Sequence, residues 1–340
     1  MSPVEPSPAL PPALADAEVV LVSYRSRGHV EALLASWPDD LRVVLVDNSD
    51  NSDDIRELAD ARSSLRYVDG RGQGFARSAN LGARSSEATH VLFVNPDSRP
   101  TTAHLAALVD GLRADESAAA HAGTPVDHEG RAEVGSGGWE PTLRRVVVYS
   151  SMLHKLAPRA GFFAQPKAGE QLDVEWVCGA CMAVRRQQFL ALGGFDEAFY
   201  VYAEDMSFGR RARRAGLRSV LRTDVEVPHG AGSSGAPSLE MLRLRGASFG
   251  GYVARHHPPL EATLMRAVFA GGAFARAGVQ RLRGNREGAA TNVALGVGTL
   301  TRRAYVGGVE VARARYEETE NDPAEQPADP LDRSRLFPSS

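Results

Sequence analysis

Short apolar runs and helix-like stretches alternate four times between residues 18 and 115. "EVVLVSY" (18–24), "LRVVLVDNSD" (41–50), "LRYVDG" (65–70) and "THVLFVNPD" (89–97) read as strands. The Val-rich ones are apolar at successive positions, the pattern of parallel strands covered on both faces. Between and after them, "GHVEALLASW" (28–37), "SDDIRELADAR" (52–62), "GFARSANLGARSS" (74–86) and "TAHLAALVDGLRAD" (102–115) predict helices. The second takes Ser52 or Asp53 as its N-cap. This alternation predicts an α/β fold, an open and mostly parallel sheet with helices on both faces. The polar clusters "SYRS", "VDNSDNSD", "DGRGQG" and "NPDS" close the four strands. They therefore meet at the carboxyl edge, where such sheets bind ligands.

From about 116 to 175 the pattern blurs: "GSGGWEPTLRR" (135–145) reads as loop, and 146–175 as a mobile stretch of Gly, Pro and Ala. "EWVCGACMAVRR" (175–186) predicts a strand and "RQQFLALGGF" (186–195) a short helix with a Gly-Gly end. "AEDMSFGRRARRAG" (203–216) predicts a helix with Gly216 as its C-cap, and "RSVLRTDVEVPHG" (218–230) a strand. Beyond 238 the chain reads as helical and basic, with twelve Arg against four Glu between 240 and 316. Residues 1–16 are Pro-rich and read as a disordered arm; 317–340, acidic and Pro-rich, read as a disordered tail.

Composition adds exclusions. Hydrophobic content of 43% and charged content of 24% over 340 residues are globular values, and a net charge of −3 argues against a polyanion binder. Nucleic acid is further excluded because the basic stretch lacks interleaved aromatics. Cys178 and Cys181 form a C-x-x-C pair, the spacing of a redox pair or half a zinc site. No second such pair completes a zinc site, so the two read as small core residues of a reduced protein. No signal peptide and no apolar run long enough to span a bilayer is visible, which predicts a cytoplasmic protein. The basic segment after 240 fits peripheral attachment to the inner face of the plasma membrane.

The candidate chemistry lies at the strand ends. Asn95-Pro96-Asp97-Ser98 is good turn chemistry by itself. Equally, Asp97 suits a divalent cation whose other positions are filled by phosphate oxygens. Asp47 ends the second strand, where an acid accepts hydrogen bonds from a nucleoside. Gly70, Gly72 and Gly74 let the backbone before a helix approach phosphate or sugar. A dinucleotide-binding Rossmann enzyme is the rival, but its glycine fingerprint follows the first strand, and "SYRSRGH" holds one glycine.

Together, "VVLVSY", "VVLVDNSD", "GFARSANLG", "FVNPD", "VPHGAGSS" and above all "GACMAVRRQQFLALGGFDEAFYVYAEDMSFGRRARRAG" resemble the family 2 glycosyltransferases. These have the nucleotide-diphospho-sugar transferase (GT-A) fold, and the likeness is closest to the bacterial rhamnosyltransferase-like branch, over about residues 18–235. The resemblance implies a catalytic domain over 17–235, with a nucleotide-binding half (17–115) and an acceptor half (116–235), then a basic helical extension over 236–316. It implies donor contacts from Ser23, Tyr24, Asp47, Asn48, Gly74, Asn80, Asn95 and Asp97, Asp47 meeting a uracil or thymine base. Asp97, with His229, would bind Mg²⁺ or Mn²⁺ at the donor diphosphate. Glu204 and Asp205 would be the catalytic acids, Asp205 the general base, although acids there also suit a helix N-terminus. Trp176, Gly179 and Ala180 would form the loop between donor and acceptor, with Trp176 either stacking on a sugar or filling the core. Departures from the family are Ser207 in place of the acid that follows the pair, Arg25 after Tyr24, and Gly72-Gln73 before the Gly-Phe loop.

The implied reaction is inverting transfer of a sugar, L-rhamnose from dTDP-rhamnose by the branch likeness, to a hydroxyl of a glycan or polyprenyl-diphosphate-linked acceptor in cell-wall or surface polysaccharide synthesis. UDP-sugars are the other donor class. "LRLRGASFGGYVARHHPP" (242–259) either lies near that acceptor or closes the core. The alternatives are another sugar-nucleotide enzyme or a non-catalytic sugar-binding relative on the same scaffold.

Overall fold

The structure, a computed structural model, describes residues 9–167, 169, 171–230 and 238–312. Its first half runs β1 (Ala17–Ser23), α1 (Arg27–Ser36), β2 (Val43–Asp47), α2 (Glu57–Ala61), β3 (Leu65–Asp69), α3 (Phe75–Ser85), β4 (His90–Val94), α4 (Thr102–Ala114) and β5 (Ala118–Val126). The middle holds β6 (Gly137–Gly138), α5 (Leu143–Ser150), β7 (Gln171–Val174), β8 (Trp176–Val177), β9 (Cys181–Arg185), α6 (Arg186–Ala191), α7 (Glu204–Arg214) and β10 (Arg218–Pro228). Three helices follow, α8 (Leu239–His256), α9 (Pro259–Leu282) and α10 (Arg286–Thr301), then the hairpin β11 (Tyr305–Val306) and β12 (Val309–Glu310).

Eight strands form one sheet in the order β3-β2-β1-β4-β9-β5-β10-β7. The β3-β2-β1-β4 half is parallel, as is the β5–β10 pair; β9 and β7 run antiparallel to their neighbours. Side chains alternate across the sheet as the pleat demands. Val19, Leu21, Val43, Leu45, Leu92 and Val94 pack on one face with α1 and α4. Val20, Val44, Val46, Val91 and Phe93 pack on the other with α3, α6 and α7. Each fully buried Val or Leu contributes roughly 1.5–3 kcal/mol, so both faces hold the sheet.

A third cluster joins the C-terminal helices to the segment from β8 to α7: Trp176, Phe199 and Met206 pack with Phe249, Tyr252, Met265 and Phe269. Close approach of α8 and α10 depends on glycine. A Cβ on Gly298 would lie 1.9 Å from the Arg243 carbonyl oxygen, and one on Gly246 2.1 Å from that of Leu295. No helix among the described residues is long and apolar enough to cross a membrane.

Four predicted elements differ. Helix α2 is five residues, not eleven, because Asn51 and Asp54 adopt left-handed backbone and Asp47 captures the Asn51 amide. Asp53 accepts from the Arg27 amide instead of capping α2. The stretch over 175–186 is two strands, broken at Gly179-Ala180. The featureless 116–175 region contains β5, whose Ala-His-Ala-Gly sequence lacks a strand signature, and α5. In the arm, Pro12–Leu14 form a 3₁₀ turn with Leu14 buried against the sheet core. Residues 1–8 of the arm, 231–234 of "VPHGAGSS", 235, 236–237 and 313–316 of the extension and the tail 317–340 lie outside the described residues.

Candidate active site

The carboxyl ends of β1, β2 and β3 build one wall. Ser23 pairs with Asp47 in the β1–β2 register, and the Asn48 amide donates to the Ser23 carbonyl at 2.7 Å. Asp47 is fully buried and both of its oxygens serve its own loop. Oδ1 accepts from the Ser49 amide and hydroxyl at 2.8 and 2.7 Å; Oδ2 accepts from the Asn51 amide and the Tyr67 hydroxyl. Burial and that carboxylate together push the Tyr67 phenol up to about 12. Asp47 thus shapes the loop after β2 rather than offering an unused carboxylate. Asn48 Oδ1 accepts from the Gly74 amide at 3.1 Å and from the Ser78 hydroxyl at 3.2 Å, holding the start of α3 against this loop. Gly74 needs to be glycine twice over, with φ at 85° and the Tyr200 carbonyl 2.5 Å from where a Cβ would stand. Ser23 is buried with its hydroxyl on Ser26 at 2.8 Å, while Tyr24 is exposed beneath the Arg25 guanidinium.

Asn80 lies elsewhere. It is buried and exchanges hydrogen bonds with the Phe195 backbone and Glu197, tying α3 to the "GGFDE" loop with its amide fully engaged.

The turn after β4 is held from three sides. Asn95 donates its amide to the Ala180 carbonyl at 2.9 Å, and the Ser98 hydroxyl reaches the same oxygen. Gly179-Ala180 therefore braces this turn. Ser98 also forms a β-bridge with His229, and the Gly230 amide donates to the Asp97 carbonyl. Strand-end geometry thus brings Asp97 and His229 together, with Oδ1 3.2 Å from Nε2. Glu133 holds the far ring nitrogen, its oxygens 3.0 and 3.1 Å from Nδ1. Burial disfavours the imidazolium, but the two carboxylates outweigh it and raise His229 to about 9. Burial opposes ionisation of Asp97 as well, yet the His229 hydrogen bond and charge keep it below its ordinary range.

This pair fits a divalent cation. A carboxylate on the distal nitrogen is the usual partner of a metal-ligating His, and a cation here would take the place of the Nε2 proton that faces Asp97. Among the described residues no three metal-ligating side chains converge, so a cation would have Asp97 and His229 as its protein ligands. Two protein ligands suffice where phosphate and water complete the shell.

Glu204 and Asp205 open α7 through a strained turn. Tyr202 and Ala203 both have positive φ, 68° and 73°, which for non-glycine residues costs about 1–3 kcal/mol each. The Ser248 hydroxyl of α8 clamps that turn at the Val201 carbonyl, 2.8 Å away. Arg245, one helical turn earlier, lies over the Tyr202 ring at 5.8 Å, and no carboxylate among the described residues ion-pairs with it. Asp205 is half-buried and keeps one oxygen on the Met206 amide. Burial raises it to about 6, with the Met206 amide and Arg245 acting against that rise. Glu204 is buried, its Oε2 has no hydrogen-bond partner, and burial plus the neighbouring Asp205 charge raise it well above its ordinary 4.5.

That strain predicts a stabilising substitution. With its folded pKa raised, Glu204 destabilises the fold increasingly as pH rises above the unfolded value of about 4.5. Glu204→Gln is expected to be more stable than wild type at pH 7 and to lose that advantage near pH 4, where most of Glu204 holds its proton in both states. Chemical denaturation of both proteins at the two pH values measures this; an equal effect at both rules out ionisation as the cause.

The other residues resolve as follows. Trp176 is buried with its indole N–H on the Trp139 carbonyl and Phe163 edge-on, so it is a core aromatic. Ser207 donates to Asp196 Oδ2 at 2.8 Å and lies 3.3 Å from His256, so Asp196 supplies a carboxylate beside the position where the family acid is missing. Both cysteines are unoxidised, and burial pushes each thiol up to about 12, which removes thiolate chemistry. Glu133, Tyr202 and Arg245 went unread in the sequence. Glu133 falls in the patternless region and Arg245 among many arginines; Tyr202, next to the acid pair, was the one with a positional cue.

The sheet order and the helices around it are those of the GT-A fold. The mannosyltransferase PcManGT from Pyrobaculum calidifontis, solved with GDP-Man and Mn²⁺, shares the fold at a TM-score of 0.53 and 18% identity, over 84% of this chain and 86% of that one. The glycosyl transferase family 2 model matches residues 27–189, and the glycosyl transferase family 21 model matches 148–235. The chain is 27% identical over 231 residues to N-acetylglucosaminyl-diphospho-decaprenol L-rhamnosyltransferase of Mycobacterium tuberculosis, spanning 62% of this chain and 75% of the relative. It is 22% identical over 212 residues to rhamnosyltransferase WbbL of Escherichia coli, spanning 59% and 78%. The chain thus matches the family 2 glycosyltransferase model over residues 27–189, and its rhamnosyltransferase relatives support a likeness to that branch of the family.

Proposed function

We propose that this glycosyltransferase moves L-rhamnose from dTDP-rhamnose, with inversion, to a hydroxyl of a polyprenyl-diphosphate-linked glycan in cell-wall or surface polysaccharide synthesis. The observation that carries the mechanism is Asp205, lifted to about 6 where a strained turn opens α7. The rhamnosyltransferase relatives support the donor, and the diphospho-decaprenol in one relative's name supports the acceptor class.

In this reading the loop after β2, shaped by Asp47 and Asn48, receives the nucleoside, and the backbone around Gly74 approaches the donor. Asp97 and His229 would hold Mg²⁺ or Mn²⁺, which supplies charge neutralisation to the departing diphosphate. Glu133 keeps the His229 ring oriented. Asp205 takes the proton of the acceptor hydroxyl as that oxygen forms its bond to the anomeric carbon. The bond from that carbon to the diphosphate oxygen breaks, and the nucleoside diphosphate leaves with the electron pair. Attack opposite the leaving group inverts the centre. Glu204, held neutral, adds no second negative charge beside the base. Arg245, without a carboxylate partner among the described residues, is the cation available to an anionic acceptor.

A thermal-shift panel of nucleotide sugars, each with and without Mn²⁺, tests the donor, since a ligand of the native state raises the melting temperature. The expected result is a shift with dTDP-rhamnose that grows with the metal. A shift confined to UDP- or GDP-sugars overturns the donor, and no shift with any of them overturns the donor site.

A further inference from the structure

The outward side of α9 runs against the rule for surface helices, whose exposed positions carry charge. Over its 24 residues, about 36 Å at 1.5 Å per residue, every exposed position from 259 to 279 is uncharged. Leu260 is 74% exposed and Leu264, Phe274 and Val279 line the same helix; Leu282, at 90%, ends it. Such isolated exposure is unremarkable one residue at a time, but a continuous apolar stripe marks an interaction surface.

The surroundings of this stripe are cationic. Helix α5 packs beside α9, with Ser150 against Gly272 and the Arg276 guanidinium on the Ser150 carbonyl at 3.4 Å. It brings exposed Val147, and the turns that follow it add Leu153 and Leu156, the latter 85% exposed. Residues 143–160 hold four basic side chains and no acidic one; residues 262–286 hold five and none. Arg281, Arg283 and Arg286 are all exposed around Leu282.

We infer that α9, with the α5 turns beside it, is a membrane-docking surface that lies in the headgroup region of an anionic bilayer. Apolar side chains would enter the acyl boundary while the arginines and Lys155 remain at phosphate level, the arrangement of an interfacial helix. None of the described helices spans a membrane, so attachment is lateral. A second copy of this chain is the rival occupant. Pairing α9 antiparallel across a twofold would set the Arg281–Arg286 end against the start of α9. The one acid there, Glu261, already faces His257 at 3.7 Å. That leaves the arginines without a match, whereas anionic lipid supplies one along the whole face. The inference extends the lipid-linked acceptor reading, but its test does not require catalysis.

The full chain is sedimented with vesicles of phosphatidylcholine, alone or mixed with phosphatidylglycerol. Wild type is expected to pellet with the mixed vesicles and to be released by salt in part, because the apolar contribution persists. Arg281→Gln/Arg283→Gln/Arg286→Gln is expected to weaken binding by about a hundredfold, at roughly fivefold per arginine, and Leu260→Gln/Leu264→Gln/Leu282→Gln by about tenfold or more as apolar contact is lost. Both should keep the wild-type melting temperature, since these side chains are exposed. Wild type left in the supernatant overturns the inference, as does full binding by both variants. Light scattering that shows a wild-type dimer, dissociated by the leucine variant, assigns the face to self-association instead. Unchanged donor-induced thermal shifts in the variants separate this outcome from failure of the donor site.

Discussion

Asp205→Asn is expected to lower kcat by about 10³-fold while leaving the donor-induced thermal shift at its wild-type size. The substitution keeps shape and the hydrogen bond from the Met206 amide, and removes only the ability to take a proton. The physical basis is burial on α7: desolvation holds the Asp205 carboxyl at about 6, close to the working pH of a general base. The sign of the pH dependence follows. Asp205 acts ionised, so kcat/KM in the wild type falls about tenfold per unit as pH drops below about 6 and is flat above it on this limb. The Asn variant loses that limb. Pre-steady-state transfer assays over pH 5–8 with each protein read both quantities. A variant that keeps wild-type turnover, or keeps the acidic limb, removes Asp205 as the base and shifts attention to Asp196, the other carboxylate beside α7.

The parallel half of this fold was legible because its strands are Val-rich and end in polar clusters; period and punctuation agreed from β1 to α4 except at α2. The second half was opaque for physical reasons. β5 is built from Ala, His, Gly and Thr, side chains too small or polar to mark a strand, and its burial comes from α4 and β10 rather than from its own hydrophobicity. Helix α2 was over-read because the acids that look like an N-cap are spent on the loop around Asp47 and on Arg27. Within the candidate site, groups that stand out by spacing along the chain were readable as candidates, as with Asn95-Pro96-Asp97 and Glu204-Asp205. Residues that act through space were not. Glu133 reaches His229 across 96 positions, and Ser248 clamps Val201 across 47. Asp47 was read as ligand-facing from its place at a strand end and Asn80 from the family resemblance; their partners, Tyr67 and Phe195, are visible only once the chain is folded. The C-terminal helices read as a basic appendage, yet their aromatic residues share a core with Trp176 and Met206, and Arg245 reaches Tyr202 in the turn before α7.

Asp97→Ala is expected to remove the metal-dependent part of donor binding, with a loss of at least the ~10²-fold that removal of an outer-shell partner already produces. The metal-independent contacts of the nucleoside loop should persist, so dTDP-rhamnose without Mn²⁺ should shift the melting temperature of wild type and variant alike. The geometry gives a second expectation. With Asp97 gone, Nε2 of His229 loses the carboxylate 3.2 Å away while Glu133 keeps Nδ1, so His229 retains its orientation but one metal ligand remains where there were two. Mn²⁺ titration followed by electron paramagnetic resonance, in the presence of the nucleoside diphosphate, reads affinity without any turnover. Undiminished Mn²⁺ affinity in Asp97→Ala would sink the ligand assignment and leave the turn after β4 as a brace for Ala180. Weakened affinity with an unchanged shift from metal-free donor would separate the two halves of the site: a nucleoside wall built by β1–β3, and a diphosphate end built where the Asp97 turn meets the end of β10.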